Sequence, residues 1–198
     1  QLGQAPVDYD IATDAKPDEI ESLFPKTIPV GKQFGVIIVL DGGHEYQMAT
    51  FRAEGGYADG RRPDRVRFTD AREDAERRDF TLNGLFYDPL AGELHDWVGG
   101  QADLEARCIR TIGDPSQRFG EDRLRLLRAV RFAAQLGFDV EPETFAAVRE
   151  HATAIREVSA ERIREELLKL FQPPHAARGL DLLNDSRLLP ELLPELAA

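Results

Sequence analysis

Gly35-Val-Ile-Ile-Val-Leu40 is a continuous apolar run that ends directly in Asp41-Gly42-Gly43. A short apolar run closed by an acid–glycine pair reads as a strand and a tight turn, which makes Glu45 to Arg52 the returning strand of a hairpin. Val7 to Ala12 reads as a further strand. Asp14 to Phe24 reads as a short helix with an acidic first turn, which the helix dipole favours. Residues 53–70 are rich in Gly, Arg, Asp and Pro and are expected to form a loop. Glu76 to Tyr87 is expected to be helical, with Phe80, Leu82, Leu85 and Phe86 as its apolar positions. Asp88-Pro89 and Gly99-Gly100 frame a short hairpin around Glu93 to Trp97. From Glu121 the pattern turns helical, over 121–136, 142–151, 159–171 and 175–184, with Gly137, Pro142, Ser159 and Pro173-Pro174 as the breaks. The expected class is α+β: a mixed module over residues 1–112, then an all-α module over 113–198. Gln1 to Pro6 offers no cap or strand of its own, as in an N-terminally truncated chain.

At 198 residues and 22.2 kDa the chain is one large domain or two small ones. No apolar stretch nears the roughly 18 residues of a membrane span, so no membrane partner is expected. One cysteine, Cys108, excludes a disulfide framework and a cysteine-based zinc site. No signal-peptide pattern is present, so a cytoplasmic location is expected. The net charge of -11 argues against a DNA-coating protein. Residues 1–100 hold 11 basic and 19 acidic side chains, whereas 101–198 hold 14 and 17, and the arginines of the second half are clustered.

Three stretches could carry chemistry. Asp8 and Asp10 alternate on a strand, so both carboxylates project from one face, where two acids can hold a hard divalent cation. Glu45, on a neighbouring strand, is a weaker third candidate. In Arg77-Arg78-Asp79, Asp79 is expected to cap a helix and Arg78 to lie near an N-terminal end that favours phosphate. Finally, Asp122, Arg125, Arg128 and Arg131 step by three and form one ridge. Asp122 is the ridge's one acid, so the arginines are expected to lack intrahelical partners and to want an anion. Asp122 and Arg125 together suit the edge that adenine and cytosine share, an amino donor beside a ring-nitrogen acceptor; uracil and guanine reverse that order. His44, His95, His151 and His175 lack metal-ligand spacing.

Taken in series, these motifs resemble one family, the bacterial and eukaryotic type of tRNA nucleotidyltransferases and poly(A) polymerases. The matching stretches are Asp8-Tyr-Asp-Ile-Ala-Thr-Asp14, Val30-Gly-Lys-Gln-Phe-Gly35, Ala49-Thr-Phe-Arg52 and Tyr57 to Pro63. Arg77 to Asn83, Asp96 to Leu104 and Arg118 to Phe132 complete them. The resemblance implies a polymerase-β-like nucleotidyltransferase head over 1–112. A helical neck over 113–198 would hold base recognition and the start of an RNA-binding body. It implies that Asp8 and Asp10 are catalytic and hold Mg²⁺ for attack of an RNA 3′-hydroxyl on an NTP α-phosphate. Arg78 would contact the nucleotide, Asp122 and Arg125 would read its base without a template, and Arg128 and Arg131 would complete the pocket. Tyr57 to Arg67 falls where the family has the loop that helps switch from C to A addition.

The expected partners are the tRNA 3′ end, ATP and CTP. Gly31-Lys-Gln-Phe-Gly35 looks more like the CCA-adding branch than like poly(A) polymerases; the alternatives within the family are an A-only-adding tRNA nucleotidyltransferase or a poly(A) polymerase. From another class, the alternative is a non-catalytic nucleotide- or RNA-binding remnant. The family's Gly-Gly-x-Val-Arg-Asp segment and its tRNA-gripping body and tail are not in this sequence, so the chain is expected to bind nucleotide yet catalyse poorly alone.

Overall fold

A computed structural model describes residues 9–55 and 65–196. Within them the chain divides after Arg77 into two compact units, one of residues 9–55 and 65–77 and one of residues 78–196. The expected boundary at 112 falls within the second unit.

The first unit is built on a four-stranded sheet of order β1-β4-β3-β2. Its strands are β1 (Asp10–Thr13), β2 (Thr27–Gly31), β3 (Val36–Asp41) and β4 (His44–Thr50). β1 runs parallel to β4, and the β2–β3 and β3–β4 pairs are antiparallel. The apolar run of β3 is therefore a central strand, and its alternation divides the sheet's two faces. Ile37 and Val39 point to one side, where they form a buried cluster with Ile20 of α1 (Pro17–Leu23). α1 starts with Pro17 in its first turn, and the Glu19 carboxylate accepts a 2.7 Å bond from the Lys16 N–H. Ile38 and Leu40 point the other way, in register with Gln47 and Glu45, and Gln47 is in register with Asp10. Asp10 thus lies on the face that α1 does not cover.

The expected loop over 53–70 is instead bounded by an antiparallel ribbon, β5 (Arg52–Gly55) with β6 (Arg65–Phe68). Asp70 then caps α2 (Ala71–Glu76) by accepting from the Glu73 N–H at 2.9 Å. Buried Asp74 closes this part. It accepts from the Arg52 N–H at 3.0 Å and from Arg77 Nη2 at 2.7 Å, while Arg77 Nε donates to the Arg52 carbonyl at 2.6 Å.

The helix expected over Glu76 to Tyr87 does not form. α2 stops at Glu76, Phe80 is extended and bridges Thr111, Thr81–Gly84 make a 3₁₀ turn, and β7 (Leu85–Asp88) follows. Four apolar positions over so short a span satisfy a helix or a strand equally, and Asn83-Gly84 is a poor helix interior. β7 pairs with β8 (Glu93–Asp96), so the hairpin expected around Glu93 to Trp97 takes as its first strand a stretch expected to be helical, and Asp88-Pro89 falls at its turn. Asp96 then accepts from the backbone N–H groups of Val98, Gly99, Gly100 and Gln101, which sets the start of α3 (Gly100–Glu105).

β9 (Cys108–Ile109) and β10 (Asp139–Val140) form a short parallel ladder. The rest of the second unit is helical: α4 (Pro115–Glu121), α5 (Leu124–Leu136), α6 (Pro142–Glu150), α7 (Ala160–Leu170), α8 (Ala176–Asp185) and α9 (Leu189–Leu192). Its core packs Leu126, Leu127, Val130 and Ala133 of α5 against Phe80, Ile109, Phe119, Leu170 and Leu183. The helix expected over 121–136 starts only at Leu124, because Glu121 ends α4 and a break at Asp122 separates the two. Asp122 is extended (φ -147°, ψ 108°), and its carboxylate accepts from the Leu124 N–H at 3.0 Å, starting α5 afresh. Among the described residues no helix is long and apolar enough to cross a membrane.

Candidate functional site

In the first unit, Asp10 is an exposed carboxylate on the sheet face opposite α1, with Gln47 in register and Glu45 two positions back along β4. Hard oxygen donors of this kind suit Mg²⁺, which takes few carboxylates and completes its shell with water and phosphate. Asp8 lies outside the described residues, as does most of Tyr57 to Arg67. No group of three or more His, Cys, Asp or Glu that could hold a metal occurs among the described residues. Lys32, in the stretch Val30 to Gly35, bridges Asp18 at 2.7 Å and Glu21 at 2.6 Å. Those hydrogen bonds, Asp18's first and then Glu21's, push the Lys32 ammonium up to about 12. Lys32 thereby ties the turn before β3 to α1.

The second unit holds the remaining predicted residues. Asp79 does not cap a helix. Its carboxylate is buried and accepts from the Phe80 N–H, from Asn83 Nδ2 at 2.8 Å and from Arg128 Nε at 2.7 Å. Burial pushes this carboxyl up, but the Arg128 charge and the hydrogen bonds outweigh it and hold Asp79 below its ordinary value. Arg78 donates through Nη1 to the Asn83 carbonyl at 2.9 Å, with its guanidinium 4.4 Å over the Phe86 ring.

The ridge is present, but its arginines do not lack partners. Arg125 Nη1 donates to Glu121 Oε2 at 2.5 Å and to the Arg118 carbonyl at 3.1 Å. Arg128 lies between Asp79 and Glu166 of α7, the latter at 3.8 Å. Arg131 pairs with Glu166 Oε2 and donates to Gln135, with its guanidinium 3.8 Å over Phe132. Burial draws the Arg131 guanidinium down, and Glu166 acts against that. These acids lie 4, 35 and 49 positions away along the chain, and the two distant ones are not revealed by helical spacing along α5.

Asp122 is held from α7 as well. Arg162 donates through Nη1 to Oδ1 at 3.1 Å and through Nη2 to Oδ2 at 2.7 Å, a bidentate pair across 40 residues. In the sequence Arg162 stands out only as a member of the helical stretch 159–171. Glu121, Glu166 and Arg162 are the site's unpredicted members. The local signals were the spacing of Glu121 and Arg125, four apart, and that of Arg162 and Glu166, four apart and so on one face of α7.

Comparisons with known proteins bear on this geometry. The family described as "Poly A polymerase head domain" matches residues 1–110. A second, described as "Probable RNA and SrmB- binding site of polymerase A", matches residues 137–198. The CCA-adding enzyme of Bacillus pumilus is 45% identical over 192 residues, which is 96% of this chain and 48% of that protein. The crystal structure of the Bacillus stearothermophilus CCA-adding enzyme in complex with CTP superposes with a TM-score of 0.86 at 40% identity, covering 94% of this chain and 45% of that one. A tRNA nucleotidyltransferase complexed with a primer tRNA and an incoming ATP analog is similar at a TM-score of 0.80 and 25% identity, over 97% of this chain and 55% of that one. The chain spans about half the length of the curated relatives it matches.

Proposed function

The chain belongs to the poly A polymerase head-domain family, and from that membership we propose that it is the head and neck of a CCA-adding tRNA nucleotidyltransferase. The reaction adds CMP, CMP and AMP to the 3′ end of tRNA from CTP and ATP, in the cytoplasm and without a nucleic-acid template. The observation that carries this reading is the likeness, at 45% identity over 96% of the chain, to a CCA-adding enzyme.

In each addition the RNA 3′-hydroxyl oxygen loses its proton to solvent and bonds to the α-phosphorus, the bond from that phosphorus to the bridging oxygen breaks, and pyrophosphate leaves. Asp8 and Asp10 are the residues that would hold Mg²⁺. When bound, the ion neutralises phosphate charge and favours the attacking and leaving oxygens. Arg78, Arg128 and Arg131 supply guanidinium groups to the nucleotide. Because Arg128 and Arg131 already hold Asp79 and Glu166, phosphate oxygens share those guanidinium groups with the carboxylates. Asp122 accepts from the amino group of adenine or cytosine, and Arg125 donates to the neighbouring ring nitrogen.

Calorimetric titration of this chain with each NTP in Mg²⁺ tests the reading without RNA. ATP and CTP are expected to bind at least about tenfold more tightly than UTP and GTP, which corresponds to about 1.4 kcal/mol. Binding of ATP alone would favour A-only addition or poly(A) synthesis. No discrimination among the four would overturn base reading by Asp122 and Arg125.

A further inference from the structure

We propose that Arg162 is a positioning residue for base selection: it pins the Asp122 carboxylate as a fixed, acceptor-only group beside Arg125. This inference rests on the base-reading role given to Asp122 and Arg125 above.

The hydrogen bonds at Asp122 account for its orientation. An ionised carboxylate offers about four acceptor sites, two per oxygen. Oδ1 takes the Leu124 N–H at 3.0 Å and Arg162 Nη1 at 3.1 Å, which uses both of its sites. Oδ2 takes Arg162 Nη2 at 2.7 Å, which leaves one. That remaining site suits a single amino N–H.

Arg125 is fixed in a complementary way. Its Nη1 is committed to Glu121 and the Arg118 carbonyl. Among the described residues, Nε and Nη2 hold no partner, and they are not among the polar atoms sealed from solvent. One open acceptor beside an open donor edge matches adenine and cytosine.

A carboxylate free to turn could swing its open acceptor away from the amino group of adenine or cytosine, so that it no longer favours those bases. The bidentate guanidinium removes that option, because rotation would break two charge-assisted bonds. Arg162 reaches Asp122 from α7, so selectivity depends on a helix that lies outside the Glu121-Asp122-x-x-Arg125 stretch. Glu166, four residues on, holds Arg131 from the same helix face.

The test titrates the chain with the four NTPs and with inorganic tripolyphosphate, in wild type, Arg162→Met, Arg162→Lys, Asp122→Asn and the double variant Asp122→Asn/Arg162→Met. Arg162→Met is expected to bring the preference for ATP and CTP over UTP and GTP from at least about tenfold to within about threefold. Tripolyphosphate affinity should stay within about twofold, since α7 packing and the phosphate-side arginines are retained. The double variant should discriminate no worse than Asp122→Asn, because both act through one carboxylate. Arg162→Lys, a point charge without the fork, should fall in between.

A folded Arg162→Met with the wild-type preference overturns the inference. Should that variant not fold, Arg162→Lys decides, and an unchanged preference in it overturns the inference equally. A wild-type chain that binds all four NTPs alike overturns the base-reading role itself, which separates the two failures.

Discussion

Asp79 shows how a single side chain can carry both stability and the shape of the site. It is 8% exposed and holds Arg128, so Arg128→Ala would leave a buried carboxylate without its cation. The expected cost is about 3 kcal/mol, at the low end for a broken buried pair because Asn83 and Phe80 still donate. Denaturant unfolding at pH 7 checks it. The same pair sets a pH dependence. Burial raises the Asp79 carboxyl, but the Arg128 charge and the hydrogen bonds prevail, so its folded value lies below its unfolded one. The pair's contribution is therefore full above the unfolded value near pH 4 and is lost as pH falls through the folded value. Asp79→Asn should flatten that acid-side loss, which unfolding curves between about pH 3 and pH 7 would show. Asp10 contrasts with it. Being exposed on its strand, Asp10→Asn should abolish nucleotide transfer to tRNA while shifting stability by less than about 0.5 kcal/mol. Full transfer by that variant would remove the catalytic role. Spacing alone grouped Asp122, Arg125, Arg128 and Arg131 on one ridge. Their partners were not legible, because Arg162, Glu166 and Asp79 meet them only after α5 and α7 pack and the Phe80 segment crosses.

Among the elements, α3 depends on two adjacent devices. Asp96 accepts four backbone N–H groups at its start, and these outweigh burial to hold the carboxyl below its ordinary value. Gly100 sits against the 3₁₀ turn of Thr81–Gly84, where a Cβ would lie 2.3 Å from the Thr81 carbonyl oxygen. Because that neighbour is backbone, Gly100→Ala must push α3 off the turn that follows Asp79. The expected destabilisation is about 1–3 kcal/mol, read as a lower melting temperature. The long helices α6, α7 and α8 were legible from their breaks within a residue or two. β2 was not, since Pro29 and a register shift between Ile28 and Gly31 hide an edge strand from any pattern search. The stop at Asp122 was hidden too, because a short polar side chain that caps the next helix has the same spacing as one inside a continuous helix.

For the whole molecule, the α+β class followed from patterning alone, a hairpin-rich start and a helical end. The point of division did not, because the segment 78–112 is mixed in secondary structure yet packs with the helices that follow it. The two units bury very different cores: Ile20, Ile37 and Val39 in the first, and an extended cluster around α5 in the second. Amide exchange under increasing denaturant should therefore open β3 at a lower free energy than Leu127 and Val130. Equal protection of both would contradict that expectation. The pinned carboxylate of Asp122 has a consequence at this scale. In the proposed base-reading role, one acceptor and one donor edge answer a yes-or-no question and give adenine and cytosine the same answer. The product proposed for the enzyme is a word of three letters in fixed order, and a one-bit filter keeps no count. On that reading the memory of what has been written resides in the length of the RNA end itself, while Asp122, Arg125 and Arg162 repeat one unchanging test.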